Sequence, residues 1–456
     1  MIEYKAQYGD VVHFSGFGTH VIILNAMKPI TELLDVRGSN YSHRPNYLVA
    51  GQLGTVNQST PLMSYGEQWR LHRRLSKPAL NVVAVKKYWP LEQRCATLMC
   101  KSLLDSPDDF FEHVRMASGR IILSITYGIP LSEVDSYVET ARKTMHRIGE
   151  SVLPGTYMAD LVNLLPWLRH LPLWLNLPFQ QDAKRIRNLV THLCWDPFEY
   201  TQRTMAAGTS TPSIISDVLA VQESEFGNID GKWFDHNLSW VGGSLFGAAV
   251  DTTHATVLTF ILAMAHFPRV QAKAQAELDA VLGSDHTLTP EDKKDLPYMC
   301  ALIKEIMRYH PVMPMGFARR TGEDDWYDGY FIPKGTLLLW NAYALCYDKE
   351  VYKSEKYPVD EVWPERFLEE TDKEMDPYGW VFGFGRRKCP GLHVAEDSNF
   401  MLIASILASF DITPLKDGPP KVDFVKLQLV SPPEDFKVSI QPRSPAHAER
   451  IRASVV

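Results

Sequence analysis

Cysteine is scarce in this chain. Six are spread over 456 residues and none forms a CxxC pair, Cys95 and Cys100 being the nearest two. That spacing argues against a zinc ribbon or a disulfide framework and fits a reducing compartment. A surplus of basic charge is also missing: 47 Lys and Arg stand against 54 Asp and Glu, a formal charge of -7, and the basic clusters are the short RLHRR and GRRKC stretches. No nucleic acid is therefore expected as partner. The first residues, MIEYKAQYGDVVHF, have neither the basic start nor the apolar core of a signal peptide, and no uninterrupted apolar run reaches membrane-spanning length. From these residues alone the chain is expected to be soluble. No internal repeat, low-complexity tract or shift of composition marks a boundary inside it.

What is present is apolar material, 45% of the residues, enough for a large core. The opening VVHFSGFGTHVIIL alternates β-formers around a Gly-rich turn and reads as a hairpin. Its GxG is no dinucleotide fingerprint, because Val21 occupies the third Gly position and no helical pattern follows. From about Met63 to residue 310 the periodicity is helical, and strand signals return in GYFIPKGTLLLWNAY, with Pro-Lys-Gly as a turn. The expectation is a mainly α fold with minor β, one domain over 1–456 with a small N-terminal β-rich portion. The apolar segment Trp240 to Phe267 carries Asp251, Thr252, Thr253 and His254 in its middle, so it reads as a buried core helix ended by Pro268. Leu161 to Phe179 holds three prolines and two tryptophans and reads as an apolar loop, either core or dipping into a membrane surface. GGSLFG around Ser244 misses the serine-hydrolase GxSxG, since Phe246 stands where Gly is needed.

The chemistry concentrates in FGFGRRKCPG, Phe382 to Gly391. Cations and backbone N–H groups stabilise a thiolate, the metal-binding form of cysteine. Arg386, Arg387 and Lys388 supply charge, Gly383, Gly385 and Gly391 allow tight turns, and the apolar run after Gly391 starts a helix whose N-terminus adds to the effect. An inert buried cysteine is the rival reading on these residues alone. The spacing Phe-x-x-Gly-x-Arg-x-Cys-x-Gly, filled by Phe382, Gly385, Arg387, Cys389 and Gly391, would arise by chance in such a chain less than about once in a thousand.

At this point the chain resembles the cytochrome P450 family of haem-thiolate monooxygenases, and is similar to its fungal microsomal members in MSYGEQWRLHRRLSKPAL and PGTYMADLVNLLPWLRHLPLW. The resemblance runs from YGDVVHF to FKVSIQPRS. It implies a P450-like fold and haem b with Cys389 as axial iron ligand. It implies Asp251 and Thr252 of AAVDTT as a proton-delivering pair, with Ala249 departing from the family's usual Gly. It implies a buried ion network of Glu305 and Arg308 from KEIMRYHP with Arg366 from PERF, bracing the haem loop. Trp69, Arg73, Arg319 and Arg387 would meet the haem propionates, with Phe382, Gly385 and Gly391 completing the cofactor loop. By position, Phe246, Ala248, Val312, Met313, Val430 and the TVNQST segment, Thr55 to Thr60, are candidates for the substrate pocket.

The implied reaction inserts one atom of O2 into an apolar or amphipathic small molecule, a terpenoid, polyketide or aromatic of secondary metabolism. Electrons would come from an NADPH-dependent FAD/FMN reductase, received by a patch of Arg70, Arg74, Lys77 and Lys388. The resemblance implies an anchor helix and a Pro-rich hinge at the start, neither of which is among these residues, so the chain reads either as truncated or as an unusual form. The resemblance nevertheless implies the cytoplasmic face of the endoplasmic reticulum membrane, with the Leu161 to Phe179 loop in contact with its surface. Two rival readings are a haem-thiolate isomerase or dehydratase, which needs no proton pair, and a non-catalytic haem-binding protein.

Overall fold

The computed structural model describes residues 2–16, 18–152, 162, 165–283, 286–353, 355–368, 374–426 and 428–454. Alternating apolar residues make the expected hairpin: β1 (Val11–Gly16) pairs antiparallel with β2 (Thr19–Leu24), Val11 facing Leu24. Three short strands follow the long helical region, β3 (Arg319–Arg320), β4 (Asp325–Tyr327) and β5 (Tyr330–Ile332), and then β6 (Leu337–Trp340). β2 runs parallel to β6, and β3 closes a sheet of order β1-β2-β6-β3. Ile22, Leu24, Leu338 and Trp340 are buried there against Leu33, Leu34 and Phe384. Pro333 to Gly335 does separate two strands, but they join different sheets, since β5 pairs with β4. A last pair, β7 (Phe410–Thr413) with β8 (Ser439–Pro442), is antiparallel.

The longer helices are α1 (Glu67–Ser76), α2 (Trp89–Asp105), α3 (Phe110–Tyr127), α4 (Asp135–Val152), α5 (Pro178–Ala206), α6 (Gly231–His266), α7 (Pro268–Leu282), α8 (Pro297–Tyr309) and α9 (Leu392–Ser409). α6 is the axis of the molecule, packed on α3, α4, α5 and α9. It begins nine residues before the apolar run, because Asp230 caps it, its carboxylate accepting from Trp233 N–H at 3.0 Å. It ends at His266, and Pro268 opens α7. Its GG pair is steric: a Cβ on Gly243 would lie 2.4 Å from Cys194 Sγ of α5. Among the described residues α6 is the one helix long and apolar enough to cross a membrane, and 72% of that window is buried in the protein. It is the core helix its polar middle implied.

Of the Leu161 to Phe179 stretch, Leu161, Asn163 and Leu164 lie outside the described residues, as does most of the preceding segment. The rest forms two tight turns, Pro166–His170 and Leu173–Leu175, before α5. Trp167 and Trp174 are 59% and 80% exposed, while Val162 and Phe179 are buried with Val49 and Ala183, and Leu168 and Leu177 pack against them, so the described part is rooted in the core and turns its tryptophans outward.

Candidate functional site

The cysteine loop folds on itself. Cys389 N–H donates to Phe382 O at 2.8 Å, Arg387 N–H to Phe384 O and Lys388 N–H to Gly385 O, so a tight turn spans Gly385–Arg387. Gly385 is obligatory: its φ is +53°, and a Cβ would stand 2.4 Å from Leu34 O, the surface on which the loop rests. Gly391 is the N-cap of α9. Cys389 is exposed, yet the surface it exposes faces an internal cavity that it lines with Phe382 and Gly391. Burial pushes its thiol up, while a backbone hydrogen bond from Gly391 and the charge of Arg73 pull it down.

That cavity measures about 320 Å³ and runs between the cysteine loop and α6. Ala248, Val312, Met313 and Val430 line it as expected. Phe246 does not: it is 1% exposed and packs with Leu123, Tyr127 and Phe234 in the core. Two residues from both Ser244 and Ala248, it points to the opposite side of α6. Of TVNQST, Val56, Ser59 and Thr60 reach the cavity; Thr55, Asn57 and Gln58 do not, and Gln58 instead bonds His236.

One wall carries four guanidiniums, Arg44, Arg73, Arg319 and Arg387. Arg319 donates to Phe384 O and Leu34 O, and Arg387 to Ser42 O and Met63 O. Arg44 donates to Pro61 O and Ala318 O, and Arg73 to Lys388 O. The partners are carbonyls; among the described residues no carboxylate pairs with any of the four. Burial lowers Arg44 to about 10, Arg319 to about 9 and Arg387 to about 8, with their mutual repulsion adding at Arg319 and Arg387. Trp69 is buried beneath Arg387 and Arg73, whose guanidinium carbons lie 4.7 and 5.7 Å from its ring centre. Such a concentration of positive charge, two guanidiniums buried and two half-buried, with no carboxylate bonded to them among the described residues, fits an anion held in the cavity. Arg44 escaped the sequence reading: HRPNY carries no motif, and only the fold brings it beside the others.

On α6, Thr252 Oγ1 donates back to Ala248 O at 3.0 Å. Asp251 lines the cavity; burial raises its carboxyl to about 6 against the opposing charges of Arg115, Arg142 and His146. Those arginines hold acids nearer the surface, Arg115 with Glu112 at 3.0 Å and Arg142 with Glu139 at 2.6 Å. Ala249 also lines the cavity, so its methyl occupies space there.

The ion network is assembled in full burial. Arg308 grips Glu305 with two bonds of 2.7 and 2.9 Å, and Arg366 Nε lies 3.1 Å from the same carboxylate, all three side chains 0% exposed. Trp363 N–H gives Glu305 a further bond, and the remaining guanidinium donors reach Cys346 O, Val359 O, Glu361 O, Tyr357 O and Pro358 O. Burial lowers the Arg308 pKa, but Glu305's charge and hydrogen bonds outweigh it and the net shift is upward.

A sequence model of the family described as Cytochrome P450 matches residues 1–440. Cytochrome P450 monooxygenase 253 of Postia placenta is 35% identical over 97% of this chain and 84% of its own length. Cytochrome P450 monooxygenase COX2 of Coprinopsis cinerea is likewise 35% identical over 97% and 85%. Cytochrome P450 monooxygenase claR of Ampulloclitocybe clavipes is 34% identical over 99% and 83%. Among solved structures, a zebra fish cytochrome P450 with progesterone superposes with a TM-score of 0.78 at 22% identity, over 97% of this chain and 98% of that one.

Proposed function

Because this chain belongs to the cytochrome P450 family, we propose that Cys389 is its iron ligand and that the four-arginine wall seats the haem carboxylates. The protein is an oxidoreductase, a haem-thiolate monooxygenase: one atom of O2 enters the substrate, and two electrons and two protons turn the other into water. The observation that carries the ligand assignment is the pairing of a cavity-facing cysteine with buried guanidiniums that lack carboxylate partners. Haem, when bound, supplies the dioxygen chemistry, and a thiolate ligand favours O–O cleavage. Arg44, Arg73, Arg319 and Arg387 orient it, Trp69 packs under two of them, and Phe382, Gly385 and Gly391 shape the loop. The reduced protein under carbon monoxide should show the far red-shifted Soret band of a thiolate complex; a histidine-like band in folded protein would overturn the assignment. Removing one guanidinium should loosen the cofactor. Arg44→Ala is expected to release haem to a scavenging apoprotein roughly tenfold faster or more, the worth of a charge-assisted bond.

Asp251 and Thr252 deliver protons in this reading. A carboxyl that titrates near pH 6 can both give and take a proton close to neutrality. Turnover should therefore bend near pH 6, and Asp251→Asn should remove the bend and lower product formation by about 100-fold. Stability moves oppositely. The folded pKa is raised above the ordinary 3.8, so the fold loses stability as pH rises from about 4 through 6. Asp251→Asn should remove its share of that slope in urea titrations, leaving the share of Glu92, whose burial raises its carboxyl to about 8.

Electrons come from an NADPH-dependent FAD/FMN reductase, for which exposed Arg70, Lys77 and Lys388 offer a cationic face; Arg74 is partly engaged with Glu225 O and Phe226. Exposed Trp167 and Trp174 support contact with the cytoplasmic surface of the endoplasmic reticulum. The substrate is an apolar or amphipathic small molecule, placed in terpenoid, polyketide or aromatic secondary metabolism.

A further inference from the structure

Among the hydroxyls that line the cavity, those of Thr60 and Ser244 belong to a hydrogen-bonded chain that decides what they offer a ligand. Thr60 and Ser244 are half-buried and line the cavity together. Thr60 N–H donates to Ser244 Oγ at 3.0 Å, tying the Thr55 to Thr60 segment to α6. Ser244 Oγ in turn donates to Trp240 O at 2.6 Å, so its proton points into its own helix.

Asn237 fixes the Thr60 proton through His72. Asn237 Nδ2 lies 2.6 Å from Trp233 O, a carbonyl that only accepts, so the amide oxygen faces the other way. That oxygen accepts from Gln68 Nε2 at 3.1 Å and lies 3.1 Å from His72 Nε2. His72 is 0% exposed, and burial lowers its pKa to about 4, so it is neutral. Its Nε2 then carries the proton toward Asn237, leaving Nδ1 bare. Thr60 Oγ1, 2.8 Å from Nδ1, must donate to it. Both hydroxyl protons are thus directed into the protein, and the pair shows the cavity lone pairs only.

We propose that Thr60 and Ser244 form a hydrogen-bond-accepting subsite that selects substrates carrying a hydroxyl donor on an apolar skeleton. This rests on the monooxygenase reading and narrows its substrate class to alcohols and phenols over ketones, esters and ethers of the same shape. Ser244 precedes Thr252 by eight residues, roughly 12 Å along the helix, so the anchored hydroxyl lies far from the carbon that is oxidised. His72, Asn237 and Gln68 are positioning residues: none lines the cavity, and they act by fixing the Thr60 proton. Trp240 lines the same wall, and its indole N–H is a donor, which makes a ketone the sharpest competitor.

The probes are 2-adamantanol, 2-adamantanone and 2-methoxyadamantane, one rigid skeleton with three oxygen chemistries, titrated into the haem-loaded protein and read from the Soret shift. The alcohol should bind at least about tenfold more tightly than the ketone or the ether. Thr60→Val and Ser244→Ala should each shrink that preference severalfold, with little effect on the ether. His72→Leu frees the Thr60 proton to turn into the cavity, so the ketone should gain on the alcohol. Equal affinities, shifts from none of the three, or a preference untouched by both Thr60→Val and Ser244→Ala overturn the subsite. If the carbon monoxide band shows a thiolate and the preference is missing, the subsite alone fails; if the band is missing too, the reading beneath it fails as well.

Discussion

Cys389→Ser should give a folded protein whose reduced carbon monoxide complex lacks the thiolate band and whose NADPH-driven product formation drops more than about 100-fold. The fold should survive, because what shapes the loop is backbone: Gly383 and Gly385 at φ of +79° and +53°, and the bond from residue 389 N–H to Phe382 O. Serine changes none of these. Its hydroxyl, however, stays protonated at any pH the protein tolerates and gives iron a far weaker ligand. The other thiol that lines the cavity, Cys194 of α5, packs against Gly243 of α6 and is pushed well up by burial, which makes it a poor replacement. Cys95 and Cys100 sit in the core with their thiols pushed up to about 12 by burial, and Cys300 is pushed to about 11. None of the three lines the cavity. Haem should still be captured in part by the four arginines, so the variant should be pale and not colourless. A variant retaining the thiolate band would show that another residue ligates the iron.

Where the chemistry is carried by neighbours in sequence, it was legible. FGFGRRKCPG is readable because its glycines answer a local demand, left-handed backbone and contact with Leu34 O, that no other residue meets. Glu305 and Arg308 are one helical turn apart, so their bond follows from spacing, and the hairpin β1–β2 follows from alternation. What was missed depends on parts of the chain that meet only in the fold. Arg44 joins the cationic wall through Phe317 O and Ala318 O, more than 270 residues away. His72 sits inside the very WRLHRR stretch that marked Arg73, but its role comes from Asn237 on α6 and from Thr60, which is tied to the same helix through Ser244. Phe246 was placed in the pocket by proximity in sequence, whereas two residues along a helix is about 200° of rotation. The parallel pairing of β2 with β6, over three hundred residues apart, has no local signature at all.

Arg366→Ala should prevent stable haem incorporation and cost the fold about 3–5 kcal/mol, because it strands charge where no water can reach. Glu305 is the single carboxylate between two buried guanidiniums, and Arg366 also bonds Glu374 at 2.6 Å and two backbone carbonyls. Its loss leaves Glu374 without that partner, Glu305 matched by Arg308 alone, and Tyr357 O and Pro358 O without their guanidinium donor. Arg366→Lys should recover little, since a single ammonium cannot serve three directions that the planar fork serves at once. Glu305→Ala should be at least as damaging, leaving Arg308 and Arg366 face to face. The control lies in the same sequence pattern: Glu139 and Arg142 share the three-residue spacing and a 2.6 Å contact, but both are 44% exposed. Arg142→Ala should therefore change stability by less than about 1 kcal/mol. Urea midpoints and the ratio of Soret to protein absorbance, compared across the four variants, separate burial from mere pairing. If Arg366→Ala loads haem normally and melts like the parent, the network does not brace the cysteine loop.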